Sequence, residues 1–144
     1  MSSSIVVGLD GSEASERAAT CAATEAGRDG LTLVLACVVP WSPYAFTSAE
    51  DNERRGVEKA REVASARQQV VTPVHERLAD SGLALEDVVR HGHPAETLVA
   101  LAAEHDASRI VVGRVGRSRV RTLLFGSTPS SLIQLSPVPV LVVP

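Results

Sequence analysis

Residues 110–129 read IVVGRVGRSRVRTLLFGSTP, and this stretch is the most informative part of the sequence for predicting the fold. Its first three residues are apolar and β-branched, which predicts a short buried strand that ends at Gly113. A loop follows, and the triplet Ser-Thr-Pro at residues 127–129 predicts the start of a helix. A strand that leads through glycines into a helix is typical of a parallel α/β sheet.

The glycines and hydroxyls of this stretch are candidates for an anion site. Gly113 and Gly116 have no side chains, so a ligand could approach the backbone closely, and Gly126 offers the same or a positive φ. Ser127 and Thr128 add hydroxyls and amides at a helix N-terminus, whose partial positive charge favours phosphate. Each feature alone is also explained by a turn, an N-cap or an early helical proline. Their joint occurrence after a buried strand favours an anion site.

Strand-like runs and helical patterns alternate along the rest of the chain. The predicted strands cover residues 5–9, 31–39, 83–91, 109–113 and 138–143, and the predicted helices cover residues 13–28, 50–80, 94–105 and 127–135. This alternation predicts a mostly parallel sheet. The third strand carries Glu86, Asp87 and Arg90, and the fifth is bounded by prolines, so we expect both at the edges of the sheet.

Length and composition limit the classes of protein that fit. A chain of 144 residues suits one domain, which we expect to cover residues 1–144. The formal net charge of -3 gives no electrostatic reason to expect a nucleic acid or an anionic membrane as partner. No apolar stretch is long enough to span a bilayer, and no secretory signal pattern is present. Cys21 and Cys37 lack CxxC spacing, so we expect core thiols in a reducing compartment and a cytoplasmic protein.

The spacing Gly113-x2-Gly116-x9-Gly126-Ser127 resembles the nucleotide motif G-x2-G-x9-G-(S/T) of the universal stress protein family. Four further segments resemble this family in order: VGLDGS at residues 7–12, VVP at residues 38–40, GHPAE at residues 92–96 and VPVLVV at residues 138–143. The similarity therefore spans the whole chain.

The resemblance implies a fold and a ligand. The fold would be a single-domain, open, five-stranded parallel α/β sheet of order 3-2-1-4-5 with helices on both faces, as in adenine nucleotide alpha hydrolase-like proteins. The ligand would be an adenine nucleotide, with ATP expected first, in the crevice between strands one and four. The implied nucleotide-binding residues are Leu9, Asp10, Val38, Val112, Gly113, Val115, Gly116, Arg117, Gly126, Ser127 and Thr128. By similarity, Asp10 lies near the ribose and phosphates, and the backbone around Val38 reads the adenine edge.

Several roles remain open at this point. A carboxylate beside phosphates is repulsive unless Asp10 faces ribose hydroxyls or shares Mg²⁺ with the phosphates. Asp10 and Ser12 are also candidates to cap the first helix. Arg117 is expected near the phosphates, whereas the other loop arginines suit a solvated loop. Pro129 removes one amide from the helix start, so AMP or a cyclic nucleotide such as cAMP competes with ATP as the expected ligand.

The sequence contains no recognisable catalytic constellation. The G-x-S-x-G elbow and the phosphate loop ending in Gly-Lys-Ser/Thr are both absent, and Lys59 is the only lysine. We therefore expect a nucleotide-binding regulatory or stress-response protein that is not an enzyme. The alternatives are a slow Mg-dependent ATPase or phosphotransferase acting near Asp10, and an interaction module without a nucleotide.

Two further expectations concern histidines and assembly. His91 and His93 are predicted to alternate on one strand face, as metal ligands can, but no partner has a matching spacing and zinc is not expected. The apolar last strand would leave an open sheet edge that invites pairing. The sequence and the resemblance therefore both predict a homodimer through the last strand.

Overall fold

The computed structural model describes residues 2–40, 49–116 and 127–144, with side chains from residue 53 onward in the second of these ranges. In chain order the elements are β1 (Ser4–Gly8), α1 (Glu13–Asp29), β2 (Thr32–Val39), α2 (Ala49–Ala66), a π-helical turn (Arg67–Val71), α3 (Thr72–Leu78), a 3₁₀ turn (Ala79–Ser81), β3 (Leu85–His91), α4 (Pro94–Glu104), β4 (Ala107–Gly113), α5 (Ser127–Leu135) and β5 (Val140–Val143). None of the described helices is both long and apolar enough to cross a bilayer.

The five strands form one parallel sheet of order β3-β2-β1-β4-β5, which confirms the expected fold. The three central strands carry apolar residues on both faces, as strands covered by helices on both sides must. β3 lies at one edge, where Glu86 and Arg90 reach partners outside the sheet. β5, which begins after Pro139, lies at the other edge, where a missing backbone donor costs least.

Alternation along the strands divides the core into two layers. Ile5 and Val7 of β1 face α1 and α3, whereas Val6 between them faces α4 and α5. All three side chains are fully buried, and each contributes about 1.5–3 kcal/mol through removal from water. The sheet is therefore held between helices on both faces.

α1 shows why its sequence forms a helix that packs closely. Ser12 is the N-cap, and its hydroxyl accepts a hydrogen bond from the amide of Ser15. Gly30 closes the helix with φ 68°, a left-handed conformation that glycine adopts without strain. The buried face is built from alanines, of which Ala18 and Ala22 are 0% exposed, so the helix axis lies close to the sheet.

The segment predicted as one helix over residues 50–80 is helical but is not a single α-helix, because α2, a π-helical turn, α3 and a 3₁₀ turn follow one another directly. Pro73 has no amide to donate and its ring would clash with the preceding turn of an α-helix. The wider π-helical turn Arg67–Val71 precedes it, and the amide of Thr72 donates to the carbonyl of Arg67, five residues earlier. The prediction overlooked Pro73, which is the sequence signal for this break.

Strand bounds differ from the predictions by a few residues. β3 begins at Leu85 and β5 at Val140, each two residues later than predicted. β4 begins at Ala107, two residues earlier than predicted. The carboxyl ends of these strands agree with the predictions, and these ends position the site.

Candidate functional site

A cavity of about 630 Å³ lies at the carboxyl ends of β1, β2 and β4. β1 pairs with β2 on one side and with β4 on the other, so the chain leaves these strands in opposite directions and a crevice remains between them. Nine residues that the sequence predicted for the site line this one cavity: Leu9, Asp10, Val38, Val112, Gly113, Val115, Gly116, Ser127 and Thr128. Arg117 and Gly126, predicted with them, lie outside the described residues.

A turn held by hydrogen bonds carries Asp10 into the cavity. Its Oδ1 atom accepts a hydrogen bond of 2.9 Å from the amide of Ser12. Ser12 is the residue that caps α1, whereas Asp10 forms a turn before the helix by accepting from the amide of the cap residue. The hydroxyl of Ser15 completes the turn, because it accepts from the amide of Asp10 at 3.4 Å and donates to the carbonyl of Ser12 at 2.9 Å.

The two described glycines of the motif have different roles. A Cβ atom on Gly113 would stand 2.7 Å from the carbonyl carbon of Ala14 and 2.9 Å from the amide nitrogen of Ser15. Gly113 is therefore required by the packing of α1 against β4, and because it also lines the cavity, its expected role in ligand approach stays a prediction. A Cβ atom on Gly116 would stand 2.7 Å from Oδ2 of Asp10, so this glycine does keep space open inside the cavity.

The backbone of Val38 is oriented toward the crevice. The pairing of β1 with β2 ends at Gly8 and Ala36, whereas the pairing of β2 with β3 continues to Val39. Along β2 the even-numbered residues bond toward β1, as the bond from the amide of Leu9 to the carbonyl of Ala36 shows. Val38 is the next even-numbered residue, and its amide and carbonyl face the side that β1 has left.

The part of the cavity wall that α4 and α5 supply includes apolar side chains. It is formed by Pro94 and Leu98 of α4 and by Pro129 of α5. Gly8 allows this wall to close, since a Cβ atom there would stand 3.1 Å from Leu98 Cδ1 and 3.2 Å from Val112 Cγ1. No sequence pattern indicated these wall residues, nor Ser15 and Cys37. They reach the cavity through the topology of the sheet, because α1, α4 and α5 all begin at the end of the sheet where β2 terminates.

The described residues that line the cavity include two titratable groups, Asp10 and Cys37. Burial, with a smaller effect of the Asp10 carboxylate, raises the pKa of the Cys37 thiol to about 11. Cys37 is therefore a thiol rather than a thiolate at neutral pH and is a poor nucleophile. Among the described parts of the chain, no group of three metal-ligating side chains comes together.

Helix N-termini give the cavity its electrostatic character. α1 carries Glu13 and Glu16 in its first turn, and α4 carries Glu96. The first turn of α5 has no acidic residue, so its partial positive charge is not offset from within the helix. The side of the cavity at Ser127 is therefore the one that best suits an anion.

The histidine prediction is wrong in its geometry. β3 ends at His91, and His93 lies beyond it as the N-cap of α4. The Nε2 atom of His91 lies 2.8 Å from a carboxylate oxygen of Glu62 in α2, so this histidine ties a helix to the edge strand. The two histidines do not alternate on a strand face.

Comparisons with known proteins agree with this architecture. A family model described as "Universal stress protein family" matches residues 1–144. Universal stress protein Rv1636 of Mycobacterium tuberculosis (strain H37Rv) is 33% identical over 140 residues, which cover 96% of this chain and 94% of the relative.

Two solved structures are similar over nearly their full length. Universal stress protein UspA from Lactobacillus plantarum is 27% identical, with a TM-score of 0.78 and coverage of 99% of this chain and 97% of that chain. A universal stress protein crystallised in complex with cAMP is 28% identical, with a TM-score of 0.69 and the same coverage of 99% and 97%. By sequence and by fold, the chain therefore belongs to the universal stress protein family.

Proposed function

We propose that this protein binds an adenine nucleotide in the cavity at the carboxyl end of the sheet and acts as a regulatory, stress-response protein. The observation that carries this proposal is the convergence of nine of the expected nucleotide-binding residues on one cavity. A family member that is 28% identical has been crystallised with cAMP, which supports an adenine nucleotide as the ligand class.

The chemistry of the cavity gives the nucleotide an orientation. Phosphates belong at the N-terminus of α5, where Ser127 and Thr128 provide hydroxyls and no first-turn carboxylate opposes negative charge. Without a cation between them Asp10 would repel the phosphates, so the phosphates of a metal-free nucleotide extend away from it. Sugar hydroxyls are the uncharged donors that a carboxylate accepts most readily, which places the sugar beside Asp10.

The base then belongs between Val38 and the apolar wall. The amide and carbonyl of Val38 offer one donor and one acceptor, which match the edge of adenine. Pro94 and Leu98 provide the flat apolar surface that a base requires on its face. ATP is the first ligand to test. AMP and cAMP follow, because Pro129 removes one amide near the phosphates.

Magnesium fits this site only as a companion of the nucleotide. Asp10 is one carboxylate, and the described residues bring no group of three metal-ligating side chains together around it. Mg²⁺ prefers octahedral oxygen coordination and commonly combines one or two carboxylates with phosphates and waters. Asp10 would hold the ion together with phosphate oxygens, and the ion would offset the repulsion between them.

The proposal includes no dedicated catalysis. The thiol among the described lining residues, that of Cys37, is held in its neutral form by its raised pKa. Binding would therefore regulate conformation or partner choice rather than turn over a substrate. Nucleotide turnover that is lost in Asp10→Ala would favour the alternative of a slow ATPase.

We also propose that the protein is a cytoplasmic homodimer joined through β5. This strand ends the sheet and its four residues are only partly buried. Ile133 and Leu135 of the neighbouring α5 are 63% and 50% exposed, which extends the apolar surface beside that edge. Both described cysteines are free thiols, which supports a reducing compartment. Light scattering that gives a monomer mass at micromolar concentration would contradict the dimer.

Calorimetric titration of ATP into wild-type protein and Gly116→Val tests the nucleotide site. A side chain at position 116 would fill the space against Asp10, so we expect the affinity to fall at least tenfold, by about 1.4 kcal/mol or more. Gly56→Val is the matched control, because a Cβ atom at Gly56 in α2 has no neighbour within 4 Å. Equal affinities of the Gly116 variant and wild type would refute the assigned site.

A further inference from the structure

Two polar residues are buried in the described core, one near each end of the sheet. Ser4 is 3% exposed and Ser15 is 4% exposed. The hydroxyl of Ser4 donates to the carbonyl of His105 at 2.7 Å, near the start of β4. Ser15 lies in the first turn of α1 and lines the cavity. Buried hydroxyls are retained where their hydrogen bonds hold something in place, so the partners of Ser15 indicate its role.

Ser15 forms hydrogen bonds to both ends of the turn that carries Asp10. Its hydroxyl accepts from the amide of Asp10 at 3.4 Å and donates to the carbonyl of Ser12 at 2.9 Å. Its own amide donates to the hydroxyl of Ser12 at 3.1 Å. These three bonds join both ends of the turn to α1, which is itself packed on the sheet. The position of Asp10 is therefore set by a helix rather than by a free loop.

The carboxylate of Asp10 is held in place as well as its backbone. Oδ1 of Asp10 is held by the amide of Ser12 at 2.9 Å, and Oδ2 lies beside Gly116, where a Cβ atom would stand 2.7 Å from it. A carboxylate whose backbone and one oxygen are both fixed needs little reorganisation to accept hydroxyl donors. The hydroxyl of Ser15 is the one side-chain group in this turn that bonds to the backbone of both Asp10 and Ser12.

We propose that Ser15 is a positioning residue that presets the Asp10 carboxylate for the sugar hydroxyls of the nucleotide. The site thereby selects ribonucleotides over nucleotides that lack those hydroxyls. The inference rests on the proposed nucleotide function and names the ligand class of the same cavity. Loss of the Ser15 hydroxyl loosens Asp10 but leaves α5 and the backbone of Val38 unchanged. Removal of this hydroxyl should therefore weaken the binding of the sugar and leave the binding of the phosphates and the base unchanged.

The experiment compares ATP with 2′,3′-dideoxy-ATP by calorimetry. Wild-type protein should prefer ATP at least tenfold, as expected for a hydroxyl that bonds to a charged acceptor. In Ser15→Ala this preference should fall to about twofold, with most of the loss in the affinity for ATP. Ser15→Thr keeps the hydroxyl and should retain the preference. Ser4→Ala removes the other buried hydroxyl and should also retain it, although the protein loses stability.

Each outcome separates the two proposals. If wild type binds neither nucleotide, the proposed function fails and this inference fails with it. If wild type binds both nucleotides equally, the function stands and the inference is overturned. A preference that survives in Ser15→Ala would also overturn it, because Asp10 would then hold its position without Ser15. Should Ser15→Ala fail to fold, Ser15→Cys replaces it, since the thiol keeps the volume and bonds weakly.

Discussion

The polar groups at the two ends of the sheet differ in what they face: those at the amino end bind one another, whereas those at the carboxyl end face a cavity. At the amino end, the hydroxyls of Ser3 and Ser4 both donate to the carbonyl of His105, and the amide of Ser3 donates to the carbonyl of Asp106. The His105 ring lies 3.4 Å from the carboxylate of Glu86. These groups bind one another, and the neighbouring depression of about 280 Å³ is less than half the volume of the cavity at the carboxyl end.

At the carboxyl end, hydrogen bonds orient polar groups toward an open space. The bonds around Asp10 direct it into the cavity, and the end of the β1 ladder leaves the backbone of Val38 facing the crevice. The difference shows that a buried serine does not by itself mark a site. What matters is whether the groups that it holds are directed at each other or at a cavity.

Among the proposed substitutions, Gly113→Ala should have the largest effect on the stability of the carboxyl end of the sheet. The new methyl group would overlap the backbone of α1 at Ala14 and Ser15, and neither can move without disturbing the helix start. We expect the free energy of unfolding to fall by about 2–3 kcal/mol, measured by urea denaturation. ATP affinity should fall with it, because the same displacement moves the Asp10 turn.

Gly27→Ala is the matched control for that substitution. Gly27 lies inside α1, and a Cβ atom there would make an ordinary contact of 3.6 Å with Leu83. We expect a gain of about 0.5–1 kcal/mol in stability, because alanine is the better helix former. A Gly113→Ala variant as stable as wild type would show that packing does not require a glycine there.

The edges and the motif were the features that the sequence could predict. Charged residues in β3 favour an edge because burying a charge is costly, and the prolines around β5 favour one because proline cannot donate to the ladder. The glycine motif located one side of the cavity because it lies in one continuous segment. Asp10 and Val38 came from the resemblance to the family, since no local pattern links them to that segment.

The remaining site residues could not be predicted from local patterns. Pro94 and Leu98 meet the cavity because α4 crosses the sheet with its first turns at the carboxyl end, which is a tertiary property. From the sequence alone Ser15 looks like any residue in the first turn of a helix, and its role follows only from its hydrogen-bond partners. The π-helical turn before Pro73 is a compromise between a helical sequence and one proline, and periodicity does not reveal it.

The two ends should also differ in their response to pH, with a smaller effect than the glycine substitution. The pKa of Cys37 is raised from 9.0 to about 11, so its stabilising contribution is complete below pH 9 and is lost as pH rises through 11. Arg90 lowers the pKa of Glu104, whose contribution is complete above the ordinary value of 4.5 and is lost in more acidic solution.

Denaturation curves at several pH values can separate these responses. Between pH 9 and 11, Cys37→Ala should lose less stability than wild type, because it has no thiol to ionise. Below pH 4.5, Glu104→Gln should lose less than wild type, because the amide does not take up a proton. Parallel curves for wild type and Cys37→Ala in alkaline solution would show that the thiol is not held in its neutral form.

Titration of ATP followed by amide NMR shifts is the direct test of a nucleotide site in this cavity. We expect saturable shifts at the carboxyl end, in the amides of Asp10, Val38 and Thr128. It also predicts that the amides of Ser4 and Asp106 at the amino end do not move. Shifts centred on the amino end, or no saturable shift at millimolar ATP, would contradict the claim that this cavity is a nucleotide site.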